Sequence, residues 1–253
     1  RLMSADRDIG YTSVDIFKDS SAKAYIDYCS RPQPPWEYLE KPMWDLIINE
    51  QLKLPDAVIL DVGIGTGRLY KLLMEHGAEK TETLAIEPNP ELSMYLHTEL
   101  HIPCIKGGSQ DMGHHLLQHE EFDLITANMV VNHMSGEEYV DFVKYTSGAL
   151  HSNGLLLYTI PFPEGKAKKH GFDVSDNTVV IEEEAKWGGF VEYHHRSEEY
   201  QVEVLKSYGF EPNRILFGYE DFISEHILKS GERTLGKSLR GPKRVMFWAQ
   251  RAK

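Results

Sequence analysis

The residues best placed to do chemistry begin with a carboxylate and three glycines. Val58-Ile-Leu-Asp-Val-Gly-Ile-Gly-Thr-Gly67 sets Asp61 just before glycines at 63, 65 and 67. Glycines spaced this way let a chain turn sharply and approach a ligand closely, beside the unpaired N–H groups that open the next helix. Nucleotides of several kinds are held by such turns. A dinucleotide fingerprint would want a small residue at 68, where Arg68 stands, and an apolar residue at 61. Asp61 would repel a pyrophosphate and favour a ligand that brings an ammonium or hydroxyl donor. A second carboxylate, Glu87, follows twenty residues after Gly67. Among twelve histidines, His133 and the pair His194 and His195 are candidate acid–base groups, since an imidazole near neutrality contributes on the order of a hundred to ten thousandfold when it moves a proton.

These residues must be positioned by regular elements, and the pattern supplies them. Val58–Leu60 is a short apolar run ending in the glycine turn, and Leu69, Leu72 and Leu73 then repeat at helical spacing. Strands are expected over 83–86, 103–106, 122–127, 154–160 and 244–249, with helices over 43–52, 91–100, 137–150 and 197–208. Alternation at this spacing implies right-handed crossovers and a parallel sheet covered on both faces. His133 falls just past the strand at 122–127, where open sheets bind ligands. Neighbours on a strand face opposite ways, so one of His194 and His195 should point inward, with Glu192 on the face of His194. Four prolines between 31 and 42 are expected to block regular structure and form a hinge. From 161 to about 180 the pattern fails, which reads as an insertion over the strand ends.

The glycine turn and its companions resemble the class I S-adenosylmethionine-dependent methyltransferases, chiefly over 58–160 and more loosely over 190–210. Val58–Gly67 is similar to that family's first motif, and Glu87 matches the acid that holds both ribose hydroxyls. Gly108-Ser-Gln-Asp-Met112 resembles the loop after the third strand, which implies that Asp111 accepts from the adenine amino group and Met112 covers the ring. Asn128, in Phe122–Met129, would lie near the methionine portion, and Tyr25 would reach its carboxylate end from an N-terminal helix. Arg68 is a further candidate for that carboxylate. The resemblance implies a Rossmann-like, doubly wound, mostly parallel seven-stranded sheet with S-adenosyl-L-methionine as cofactor and S-adenosyl-L-homocysteine as product. The expected organisation is an N-terminal helical lid and hinge over 1–45 and a core over 46–253, with 161–190 as a substrate cap. Tyr11, Phe17, Tyr25, Tyr28 and Trp36 would give the lid aromatic faces, which attract a sulfonium and stack on flat substrates.

Each position also has a plainer reading. Asp61 could cap the turn, Glu87 could open a helix, Asp111 could be a solvated loop acid and Asn128 a turn former. The histidines lack compact metal-ligand spacing, so no metal is expected.

Composition narrows the partners. The 253 residues are 41% hydrophobic and 26% charged, ordinary usage for one globular domain that folds alone. Net charge is −12, which opposes the phosphate contacts that dominate nucleic-acid affinity. Residues 221–253 nonetheless carry eight Lys/Arg against three Asp/Glu, a local basic segment. Two cysteines favour a reducing, cytoplasmic setting, the longest apolar run is too short to span a bilayer, and the first ten residues lack a leader pattern.

The expected function is methyl transfer to a small aromatic or apolar metabolite by a monomer or homodimer, with His133 or His194 and His195 orienting or deprotonating the acceptor. The acceptor atom stays open. Rival readings are a methyltransferase acting on RNA or protein, a noncatalytic cofactor-binding module, and a nicotinamide-dependent oxidoreductase that Arg68 disfavours.

Overall fold

The computed structural model describes residues 2–3, 22–79, 82–108, 122–222 and 243–252. Seven strands form one sheet: β2 (Ile59–Val62), β3 (Thr83–Glu87), β4 (Cys104–Lys106), β5 (Phe122–Asn128), β6 (Leu150–Pro161), β9 (Phe210–Phe217) and β10 (Arg244–Arg251). Their order is β4-β3-β2-β5-β6-β10-β9. The pairs among β2 to β6 are parallel, and β10 runs antiparallel to both β6 and β9. The chain winds outward from β2 towards β4, then returns to β5 on the other side. That reversal opens a crevice beyond the carboxyl ends of β2 and β5, where open α/β sheets take their ligands.

Burial on both faces explains the sequence pattern of the central strands. All of Ile59–Val62 is buried, as expected for a parallel strand covered on both sides. One layer packs Phe142, Tyr158 and Phe247, and the other packs Trp44, Leu72 and Met246. The covering helices are α1 (Ala22–Cys29), α2 (Lys41–Gln51), α3 (Arg68–Glu75), α4 (Pro90–Glu99), α5 (Gly136–Ala149), α6 (Pro163–His170) and α7 (Glu198–Ser207). Local chemistry starts several of them. Ser135 and Glu138 close a reciprocal capping box on α5, and Asn89 accepts from the Glu91 and Leu92 N–H groups ahead of α4.

Three segments depart from the sequence pattern. The proline-rich stretch is helical: a π-helical turn, Trp36–Glu40, runs into α2. Pro42 falls in the first turn of α2, where a missing N–H costs no intrahelical bond. The strand β9 escaped notice because Phe-Glu-Pro-Asn-Arg-Ile-Leu-Phe does not alternate cleanly. It lies at the sheet edge, where a proline is tolerated. The stretch after β6 has regular structure, containing α6 and a hairpin of β7 (Val180–Glu184) with β8 (Phe190–His194). A two-residue strand, β1 (Leu2–Met3), pairs with β7 and completes a second sheet of three strands.

A buried ion pair joins the helical layer to the sheet. Arg244, the first residue of β10, donates from Nε and Nη2 to Glu40 Oε1 at 3.0 and 2.9 Å. Both side chains are only 10% exposed. Removing one partner strands a desolvated charge, so Glu40→Ala is expected to destabilise the fold by about 3–5 kcal/mol. Urea denaturation should show that loss, and an apolar replacement of both Glu40 and Arg244 should recover most of it.

Candidate active site

The strand β2 ends inside the crevice and carries Asp61, which is 1% exposed. Its Oδ1 accepts from Thr126 Oγ1 at 2.9 Å, while Oδ2 is buried with no partner. The turn that follows holds Gly63 at φ 64°, Gly65 at φ 59° and Gly67 at φ 76°. A Cβ on Gly63 would lie 2.4 Å from a Val130 methyl, so glycine is required there by space as well as by φ. Glu87, at the end of β3, is also buried. Its Oε2 accepts from Gly65 N–H and its Oε1 from Asn89 N–H, each at 2.9 Å. Burial pushes both carboxyls up to about 7, against the opposing pull of those hydrogen bonds.

Beyond the turn the crevice widens into a cavity of about 1230 Å³. At one end lie Asp61, the glycine turn, Glu87, Gly107 and Gly108; at the other lie His133, Phe162, Lys166, Tyr193 and Arg244. Aromatic rings from two distant stretches line it. Trp187, between β7 and β8, packs on Tyr25 and Tyr28 of α1 with ring centroids 4.9 and 5.6 Å apart. The far wall is charged. Glu183 accepts from Lys166, Lys169 and His170, and these partners hold its carboxyl down to about 2 despite partial burial. Lys166 Nζ also sits 3.9 Å from the centre of the Tyr193 ring.

Residues 59–154 match the family model described as a methyltransferase domain. The matched stretch runs from β2 into β6. An uncharacterized methyltransferase of Anoxybacillus flavithermus is 28% identical over 115 residues, 46% of this chain and 52% of the relative. The chain thus spans about half the length of that curated relative. Among solved structures, an S-adenosylmethionine-dependent methyltransferase of Clostridium acetobutylicum superposes with TM-score 0.59 at 14% identity, covering 93% of this chain and 94% of its own. The 1,6-didemethyltoxoflavin-N1-methyltransferase of Burkholderia thailandensis, solved with its substrate and S-adenosylhomocysteine, gives 0.57 at 14% identity, covering 100% and 95%. The methyltransferase solved in complex with the Trm112 activator of Haloferax volcanii gives 0.64 at 9% identity, covering 96% and 98%. At these identities the structural likeness concerns the fold.

The fold brings together most of the cofactor candidates. Asp61, Gly63, Gly65, Glu87, Asn128 and Tyr25 line this large cavity. S-adenosylmethionine offers an ammonium and ribose hydroxyls, all donors, and Asp61 and Glu87, whose carboxylate oxygens are acceptors, line that space. The donor set fits the cofactor. Gly67 opens α3, and Tyr25 Oη lies 3.4 Å from where a Gly65 Cβ would be. Asn128 Oδ1 accepts from Trp44 Nε1 at 3.0 Å and Thr159 Oγ1 at 2.7 Å, which fixes the amide. Arg68 donates to the Cys29 carbonyl at 3.2 Å and lies 5.7 Å over the Trp36 ring. Asp111 and Met112, with Tyr11 and Phe17, lie outside the described residues.

The histidines separate. His133 lines the large cavity, whereas His194 and His195 line a small one of about 30 Å³. The pleat of β8 turns Val191 and Tyr193 towards the large cavity, leaving Glu192 and His194 on the other face, paired at 2.9 Å. The strand stops at His194, and His195 turns away so that its Nε2 meets the Val174 carbonyl at 2.8 Å. Neither member of the pair therefore faces the large cavity. Among the described residues no group of His, Cys, Asp and Glu could hold a metal ion, and no helix is long and apolar enough to cross a membrane. Sequence reasoning missed Trp187, Lys166, Tyr193 and the Glu40–Arg244 pair, because only the folded hairpin and β10 bring them to this wall.

Two outcomes follow from this geometry. Gly63→Ala should abolish S-adenosylhomocysteine binding by calorimetry, and adding Val130→Ala should restore only part of it, since the strain at positive φ persists. A carboxyl raised on folding contributes stability below its unfolded value, lost as pH rises through the folded one. Asp61→Asn should therefore gain stability relative to the unliganded parent as pH rises from about 4 to about 7, read as the difference between thermal melts.

Proposed function

We propose that the protein transfers a methyl group from S-adenosylmethionine to a small molecule with a flat or aromatic surface. The observation that carries this reading is the cavity. Single-ligand sites commonly occupy about 300–1,000 Å³, and this one reaches about 1230 Å³. It runs from the two buried carboxylates, past the Tyr25, Tyr28 and Trp187 rings, to a wall that sets Phe162 and Tyr193 beside charged groups, which gives room for a cofactor and an acceptor end to end. Walls from α1, α6 and the β7–β8 hairpin around this space favour a small acceptor over a polymer. The inserted segment, as substrate cap, and the N-terminal helix, as lid, have this role in the proposal.

When bound, S-adenosylmethionine supplies an electrophilic methyl on a sulfonium, and its departure as a thioether needs no proton. The work of the chain is then alignment. Asp61 and Glu87 accept from the cofactor's donors, the glycine turn gives its backbone close access, and Asn128 and Tyr25 border the methionine end. Aromatic walls at Tyr25, Tyr28 and Trp36 favour a cation and exclude water. Holding nucleophile and methyl in line can contribute about 7–11 kcal/mol.

Methyl transfer is tested with S-adenosylmethionine labelled in the methyl group and a metabolite panel, beside RNA and protein fractions. Incorporation into a small molecule supports the proposal. Incorporation only into polymer, or cofactor binding with no transfer to any acceptor, would support one of its rivals. Glu87→Ala should weaken S-adenosylhomocysteine binding tenfold or more, about 1.4 kcal/mol. Unchanged affinity by calorimetry would remove Glu87 from the ribose.

A further inference from the structure

His133 stands in the 3₁₀ turn Val131–His133 after β5, on the wall of the large cavity, where a general base would be sought. Both of its ring nitrogens are already engaged. Nδ1 lies 2.8 Å from the main-chain carbonyl of Glu192 in β8. A carbonyl can only accept, so Nδ1 carries the proton. Nε2 lies 2.9 Å from Asn132 Nδ2. An amide nitrogen can only donate, so Nε2 is bare and its lone pair is taken. Turning the Asn132 amide over would place Oδ1 on Nε2 and require a second ring proton. The resulting imidazolium would be buried among the basic side chains that face this ring, Lys166 from α6, Arg196 after β8 and His194 on β8. The one nearby carboxylate on β8, that of Glu192, is turned to His194. Burial, seconded by those neighbours, holds the His133 imidazole down to about 4.

The same turn is gripped a second time. Arg196, 5% exposed, donates to the carbonyls of Val131 at 2.9 Å and Ser135 at 2.7 Å, and to that of Met134. The Tyr193 ring lies against His133 at 4.9 Å between centroids. A segment of the core 59 residues away in sequence from Glu192 is thus fastened to the hairpin by one imidazole and one guanidinium.

We propose that His133 is a positioning residue and not a base: a neutral, Nδ1-protonated imidazole that, with Arg196, clamps the turn after β5 to the β7–β8 hairpin and so fixes the wall of the acceptor compartment. The term acceptor rests on the methyl-transfer reading. The clamp is read on the free protein, so its failure is separable from a failure to bind S-adenosylhomocysteine.

The test uses the full chain labelled with ¹⁵N-histidine, with the His133 signals assigned by their loss in His133→Asn. Two-bond ¹⁵N–¹H correlation should show a protonated Nδ1 and a bare Nε2, unchanged from about pH 5.5 to about pH 8. An Nε2-protonated tautomer, or conversion to imidazolium within that range, would overturn the assignment. Amide hydrogen exchange then tests the clamp. His133→Phe should speed exchange across β7 and β8 by at least about fivefold, leaving β2 and β3 unchanged, and His133→Asn, which can still donate to the Glu192 carbonyl, should return it towards the parent rate. Parental exchange in the Phe variant would show that His133 fastens nothing.

Discussion

Two carboxyl groups buried at one point of the sheet set the terms for the rest of this molecule. Asp61 and Glu87 sit at the ends of adjacent parallel strands, and water is excluded from both. A desolvated carboxylate is costly unless donors surround it. The chain supplies some of them: Thr126 for one oxygen of Asp61, and the Gly65 and Asn89 N–H groups for Glu87. It leaves Asp61 Oδ2 without a partner. Asp61 lines a cavity, and a ligand bringing an ammonium and hydroxyls would supply donors there. The glycine turn, the switch in winding direction and the cap of α4 at Asn89 all serve this arrangement, since each places a backbone N–H or a strand end beside a carboxylate.

Around that point the structure is assembled from parts remote in sequence. The segment after β6 packs a tryptophan on α1, β1 pairs with β7, and Glu40 is neutralised by Arg244 near the other end of the chain. The cavity therefore has a core-built end, where strands and short turns fix every group, and an end built by long-range contacts. Polar clamps hold the second end. Arg196 and His133 bind carbonyls, while Arg244 and Lys166 bind carboxylates.

This division explains what the sequence made legible. The carboxylates and glycines could be read because strand, turn and helix follow one another locally, with strand-end acids at a spacing that the βαβ unit imposes. Five of the seven strands and most helices were visible through apolar runs and periodicity; the short edge strand at 104–106 emerged as well, and β9 did not because its polar face is exposed at an edge. The prolines at 34, 35 and 42 misled, because proline is a breaker inside a helix and an acceptable starter in its first turn. The histidine pair misled because alternation gives opposite faces without saying which one meets a cavity. No local pattern in the Glu182-Glu-Glu184 to Trp187 segment announces that it will wall a site. Its role depends on contacts with α1 and α6, which only the tertiary fold provides.

The central claim, that buried and partly protonated carboxyls wait at the strand ends for a ligand rich in donors, has a direct measurement. Titrating S-adenosylhomocysteine into the protein at about pH 7, in buffers of different ionisation enthalpy, gives the number of protons exchanged on binding. Donors arriving at Asp61 and Glu87 favour their ionised forms, so binding should release protons, and the release should shrink in Asp61→Asn. Binding with no proton exchange, or with uptake, would contradict the account.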